Sequence, residues 1–199
     1  MNSEVMNKLS YGLFVLTAKD GDKDNGCIIN TATQVTATPN RIIVTVNKDN
    51  YTHDMIVKTG EFNVSILDES ATFETFKQFG FQSGREVDKF LEIAFQRAEN
   101  GIAYLTSECN GYISARVIES KDLGTHTMFI ADVTGGEVLS DKASATYAYY
   151  HANIKPSAKP AEKKGFICTI CGYIYEGDEL PADIICPICK HGAEDFKPL

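Results

Sequence analysis

The residues of this chain with the clearest chemical signature are four cysteines near its C-terminal end, Cys168-x-x-Cys171 and Cys186-x-x-Cys189. A two-residue gap lets both sulfurs of a pair face one ion, and two such pairs supply the four corners of a tetrahedron. Iron and zinc both accept four thiolates, so the ligand set alone leaves an electron carrier and a structural zinc ribbon open. Two disulfides are a third use of the same residues. Gly172 directly follows the first pair, where a positive φ is often needed so that backbone N–H groups can point at sulfur. Cys27 and Cys109 stand apart from this set and read as buried thiols with no assigned chemistry.

Two polar clusters lie earlier in the chain. The run Asn30-Thr31-Ala32-Thr33-Gln34-Val35-Thr36-Ala37-Thr38-Pro39 places hydroxyls and amides on what otherwise reads as an apolar strand. Such a strand either faces water or hydrogen-bonds something planar and polar. The segment Asn47-Lys48-Asp49-Asn50-Tyr51-Thr52-His53 ends a strand and opens a helix. A cation, hydroxyls and free N–H groups at a helix start can hold a phosphate, and an ordinary capped turn uses the same residue types. No Gly-x-Gly-x-x-Gly follows a strand and no Gly-Lys-Ser/Thr phosphate loop occurs; a dinucleotide domain of the common kind is therefore excluded.

The elements that must position these residues divide unevenly along 199 residues. Residues 165–199 are too few to bury enough apolar surface unaided, so this piece must draw its stability from the metal. Phe166, Tyr173, Tyr175 and Phe196 supply most of its small apolar core. Residues 154–164, with Pro156, Pro160 and small or charged neighbours, read as a semi-extended linker. Residues 1–153 form the remaining unit. Enrichment in β-branched and aromatic residues predicts strands at 13–19, 27–36, 41–47, 61–67, 112–119 and 127–138, with a loop over 20–26. Helices are expected from Thr52 to near Gly60, from a Ser70 cap over 71–79, and over 143–152. The expected fold is mainly β, a barrel with a few helices followed by a small metal domain.

The net charge of −8 argues against nucleic acid and against an anionic membrane surface as partners. No apolar run approaches the ~18 residues of a membrane span, and the N-terminal residues lack the layout of a signal peptide. A cytoplasmic, reduced chain is expected, the setting in which cysteine quartets usually bind metal.

The four cysteines, with Gly172, Tyr173, Ile174 and Tyr175 after the first pair, Pro187 and Ile188 inside the second, and Phe196, resemble the rubredoxin family. Its single iron cycles between two oxidation states. Three departures stand out. Ile184 occupies the place where rubredoxins usually carry Trp, Lys190 the place where Gly usually follows the fourth cysteine, and the stretch between the pairs is shorter. Residues 1–153 resemble the flavin reductase-like family, which binds FMN in a split β-barrel. That resemblance rests on Ser10-Tyr11-Gly12-Leu13, the two polar clusters, Phe79-Gly80-Phe81, Ser83-Gly84, Asp88-Lys89-Phe90 and Gly124-Thr125-His126-Thr127-Met128-Phe129, in that order.

The resemblance implies that Asn30, Thr31, Ala32 and Thr33 line the isoalloxazine edge, that Lys48, Asn50 and Thr52 hold the phosphate, and that Asn47 also binds the cofactor. It implies that Ser83, Gly84 and Lys89 reach the flavin from a neighbouring loop across a dimer interface, since the family is dimeric. His126 is placed near the reactive face, where relatives bind the nicotinamide, with Tyr150 and His151 as further candidates for that neighbourhood. The fusion itself is similar to the high-molecular-weight rubredoxins of anaerobes. The expected activity is electron transfer from NAD(P)H through FMN to a mononuclear iron held by Cys168, Cys171, Cys186 and Cys189, then to a separate protein such as a flavo-diiron oxygen or nitric oxide reductase. FMN takes an electron pair as hydride and releases electrons singly, which is the conversion this sequence of carriers needs. The alternative is a ferric or free-flavin reductase in which the metal domain is an accessory relay.

Overall fold

A computed structural model of the chain describes residues 3–156 and 165–199. After a 3-10 helix over Ser3–Lys8 come β1 (Phe14–Asp20), β2 (Lys23–Ile29), β3 (Ala32–Ala37), β4 (Asn40–Asn47), α1 (Tyr51–Thr59), β5 (Glu61–Leu67) and α2 (Phe73–Gly80). There follow β6 (Phe95–Arg97), β7 (Ala103–Leu105), β8 (Cys109–Asp122), β9 (His126–Val138) and α3 (Tyr147–Tyr149), which runs into a π-helical turn over Tyr150–Ile154. Seven strands form one antiparallel sheet in the order β2-β1-β5-β8-β9-β4-β3.

Burial shows how this sheet is curled. Ile42, Val44 and Val46 alternate inward along β4, and they share one buried cluster with Cys27 and Ile29 of β2. β2 and β4 lie toward opposite ends of the strand order, and the far ends of a flat sheet cannot share a core. The sheet therefore closes on itself as a split barrel around Leu16, Phe62 and Phe129. β1 and β5 are buried on both faces. Their second face packs Val15 and Leu67 against Phe76 and Phe79 of α2.

The buried polar residues on these two strands have a specific task. Thr17 Oγ1 donates to Ala103 O at 2.6 Å, Asn63 Nδ2 donates to Ile102 O at 2.9 Å, and Leu105 N donates to Ser65 Oγ at 3.0 Å. They satisfy backbone groups in and just before β7, which pairs with β6 in a separate two-stranded sheet. Strands β6 and β7 were not expected from the sequence, because three residues carry too little periodicity to be seen.

Three other expectations change. The strand expected over 27–36 is two strands: the chain leaves β2 at Ile29 and begins β3 at Ala32, on the opposite edge of the sheet. The polar run is polar because β3 is an edge strand with most side chains exposed. The loop over 20–26 is a tight turn at Gly21 and Asp22, with Lys23 already paired to Asp20. Helix α2 starts after Thr72 rather than at a Ser70 cap, since Ser70 N is bound to Asp68 Oδ1 at 2.7 Å.

The C-terminal piece is a three-stranded sheet in the order β11-β10-β12, from β10 (Phe166–Cys168), β11 (Ile174–Tyr175) and β12 (Phe196–Pro198). Of the linker expected over 154–164, residues 157–164 lie outside the described residues. Ile154 packs on the second core of the barrel, and Lys155 Nζ donates to Thr169 O of the metal-binding piece at 2.9 Å. Among the described residues no helix is long and apolar enough to cross a membrane.

Candidate metal centre and adjoining cleft

Cys168 closes β10, and the other three cysteines sit on the turns that follow β10 and precede β12. All four are buried, and their Sγ atoms lie within 4.8 Å of one another. The separations Cys168–Cys189 and Cys171–Cys186 are 3.5 and 3.4 Å. A disulfide would need about 2.05 Å, so these are free thiols. Sulfurs about 2.3 Å from a common tetrahedral ion stand about 3.8 Å apart, which this cluster fits.

Both clips have the same turn. Gly172 N donates to Cys168 O at 2.8 Å and Lys190 N to Cys186 O at 2.9 Å, with φ of 81° and 62°. Lys190 thus takes the left-handed conformation its glycine counterpart would adopt, at a cost of about 1–2 kcal/mol. The turn aims backbone N–H groups at sulfur, Tyr173 toward Cys171 and His191 toward Cys189. Burial pushes the Cys186 thiol up, yet the N–H groups of Cys189 and Ile188 and the neighbouring thiols bring it below its usual value. Ile184, in place of the expected Trp, packs on the same cluster with Phe166, Tyr173 and Tyr175.

A cleft of about 630 Å³ lies against this centre. Its floor is Asn25 and Cys27 of β2, Thr52 of α1, and Lys89; Ser83 and Gly84 form one side. The facing wall is the second clip, Pro187, Ile188, Cys189, Lys190 and His191. A second concavity of about 490 Å³ shares Cys27, Asn50, Gly80 and Phe81 with the first. Asn47, Tyr150 and His151 line it, with Thr169 and Ile170 of the first clip.

The floor is built for a polar ligand. Asn25 Nδ2 donates to Thr52 Oγ1 at 3.0 Å, while Asn25 Oδ1 is buried without a partner among the described residues. A Cβ on residue 84 would stand 1.9 Å from that oxygen, so only glycine fits there. Lys89 is 4% exposed and its Nζ donates to Gly26 O and Phe79 O at 2.9 and 3.1 Å. An ammonium has three donors, and one is left for a ligand. Burial holds the Cys27 thiol up at about 11, against the opposing pull of Thr52 and Lys89, so it is neutral at pH 7.

The structure brings Asn50, Thr52, Ser83, Gly84 and Lys89 to one cleft, and puts Asn47, Tyr150 and His151 on the adjoining concavity. It does not bring the others there. Lys48 Nζ is paired with Asp122 at 2.7 Å, and His126, opposite Asn47 on β9, bonds Thr125 Oγ1 at 2.9 Å. Asn30 and Thr31 join β2 to β3, and Ala32 and Thr33 open β3; all four lie outside both sets of walls, and Thr31 Oγ1 donates to Thr45 O at 3.0 Å. Sequence reasoning missed Asn25 and the whole wall formed by the second clip. A buried asparagine inside a turn-like string carries no local signal.

Lys89 gives the cleft a pH signature. Burial lowers its pKa from 10.5 to about 8, with Cys27 opposing. Below about pH 8 it is charged in both folded and unfolded states, and the burial penalty is fully present. Between about 8 and about 10.4 only the unfolded chain keeps the proton, so stability rises with pH. The ligand-free protein should gain about 3 kcal/mol across that window relative to Lys89→Met, measured by denaturant titration. An anion in the cleft should flatten the rise by holding the proton on Lys89.

Comparison with known proteins agrees with this division of labour. The flavin reductase like domain matches residues 6–158, and the rubrerythrin, rubredoxin-like domain matches residues 166–197. The high molecular weight rubredoxin of Moorella thermoacetica is 36% identical over all of both chains. The ferric-chelate reductase (NAD(P)H) of Archaeoglobus fulgidus is 36% identical over 76% of this chain and 89% of its own. Among solved structures, the NADH:FAD oxidoreductase SgcE6 of Streptomyces globisporus, in complex with NAD and FAD fragments, superposes with a TM-score of 0.67 at 20% identity, covering 80% of this chain and 92% of that one. A split barrel with a polar-floored cleft, matched along most of its length and continued by a four-thiolate clip, places the chain in the flavin reductase-like family, with a rubredoxin-like domain at its C-terminal end.

Proposed function

We propose that this protein is an electron relay in which NAD(P)H reduces FMN held in the cleft, FMN reduces iron held by the four cysteines, and the iron passes electrons to a separate protein. One observation carries the reading: a cleft with an unpaired buried acceptor and a spare ammonium donor stands directly beside a four-thiolate metal site. FMN fits that floor, since Asn25, Thr52 and Lys89 offer both donors and an acceptor and Gly84 lets the Asn25 amide keep its place there. Asn50 brings the start of α1 to the cleft, suited to a phosphate. When bound, FMN supplies the exchange between hydride and single electrons. The chain itself needs no acid, base or nucleophile for this, and the neutral Cys27 thiol adds none.

The acceptor is proposed to carry a basic patch, because Asp178, Glu179, Asp183 and Glu194 are exposed on the metal domain. A flavo-diiron protein that reduces oxygen or nitric oxide is the class proposed. A homodimer in a reducing, cytoplasmic setting completes the reading, in keeping with six free cysteines.

Anaerobic mixing with NADH or NADPH tests the relay. Flavin absorption should bleach first and ferric-thiolate absorption second, and an iron band that stays unchanged would rule it out. Acceptor reduction should slow roughly tenfold between low and high salt, as steered docking does. A ferric reductase is the second reading, favoured by the Archaeoglobus relative, whose match is confined to 76% of this chain. Equal rates of ferric-chelate reduction by zinc-loaded and iron-loaded protein would favour it.

A further inference from the structure

The position of the second clip has a consequence for flavin binding. Four cysteines are enough to hold an ion, and nothing in that task requires their loop to touch the barrel. Yet residues 187–191 form a wall of the cleft whose floor is Asn25, Thr52 and Lys89. The first clip faces the same way, with Thr169 and Ile170 on the adjoining concavity. Two further contacts fix this placement: Lys155 Nζ donates to Thr169 O at 2.9 Å, and Phe81 of the barrel packs into the apolar cluster around the sulfurs. Of the four ligands, Cys189 alone lines the cleft, and it keeps 9% exposure where the others keep 0–1%.

We infer that the metal domain is a structural part of the flavin site of its own chain: residues 187–191 complete the cleft, and Cys189 is the ligand through which an electron enters the iron. The inference rests on the proposed flavin–iron relay and adds its route. One electron leaves the reduced flavin and ferric iron becomes ferrous; no bond to the chain is made or broken. Because the clip lines the cleft, flavin binding there and docking of the metal domain would strengthen each other to the same degree, as linkage requires. An isolated barrel would bind flavin less tightly than the whole chain.

Ile188 tests this without disturbing a metal ligand. In the full chain loaded with redox-inert zinc, FMN affinity is measured by titration of flavin fluorescence for the native protein, Ile188→Asp and Ile185→Asp. Ile185 lies on the same loop, is 64% exposed and is not part of the wall. Ile188→Asp should weaken FMN binding at least about tenfold (~1.4 kcal/mol), while Ile185→Asp leaves it within about twofold. Metal content and the ferric-thiolate spectrum of the iron-loaded variants show whether the domain still folds. If Ile188→Asp does not fold, hydrogen exchange of residues 186–192 in the native chain decides, with slower exchange expected on adding FMN. Native affinity in a folded Ile188→Asp, or exchange unchanged by FMN, overturns the inference and leaves the relay standing if NADH still bleaches the iron. A native chain that binds no flavin overturns the relay itself.

Discussion

Replacing both Cys168 and Cys186 by serine is expected to abolish iron binding and unfold residues 165–199 while the barrel stays folded. The two residues come from different clips and both are fully buried, so the change leaves one thiol per clip and no tetrahedral set. The buried core of this piece is the four cysteines and Phe196, with only partly buried side chains around them. Structural metal sites supply about 10–16 kcal/mol of folding free energy in small domains, far more than so small a core can replace. Metal analysis should find under about a tenth of an iron per chain, and the ferric-thiolate absorption should vanish. At saturating FMN, NAD(P)H should still reduce the flavin, whereas reduction of a protein acceptor should fall at least about a hundredfold, or ~2.7 kcal/mol. A variant that keeps one iron per chain would contradict the ligand assignment.

Gly84→Ala is expected to lower FMN affinity by about 10- to 100-fold, or ~1.4–2.7 kcal/mol. The added carbon would stand 1.9, 2.5 and 2.9 Å from Asn25 Oδ1, Cγ and Nδ2, so no small rotation of the amide relieves the overlap. Asn25 is 1% exposed and held by Thr52. It must break that bond and intrude on the cleft floor, and overpacking of this kind costs about 1–3 kcal/mol. Because the damage passes through one side chain, the effect should be non-additive. In an Asn25→Ala background, Gly84→Ala should cost far less stability than in the native chain, as measured by thermal unfolding of the four members of the cycle. Additive costs would show that the glycine is needed for another reason.

These two predictions differ in how far each could be seen in advance. The cysteine set was legible from spacing, because two residues on either side of a turn suffice to aim two sulfurs at one point. The left-handed turn at Gly172 was legible for the same local reason, and Lys190 shows that the backbone demand persists where the glycine is absent. Enrichment in β-branched and aromatic residues likewise marked β4 and β5 as strands. The Asn25–Gly84 contact was not legible. It joins a strand read as a loop to a segment after α2, and only packing of α2 against β2 brings them together.

The sequence by itself determined the metal ligands, the order of the flavin reductase-like motifs and most strands, since each depends on periods and spacings shorter than one turn or strand. The tertiary structure alone decided what stands around the cleft. It sent Ala32 and Thr33 of the polar run to an edge strand, tied Lys48 to Asp122, and turned the second cysteine clip toward Thr52 and Lys89. Those placements depend on how the sheet curls and on which face of a small, metal-held domain meets the barrel, and such long-range packing leaves no pattern in neighbouring residues.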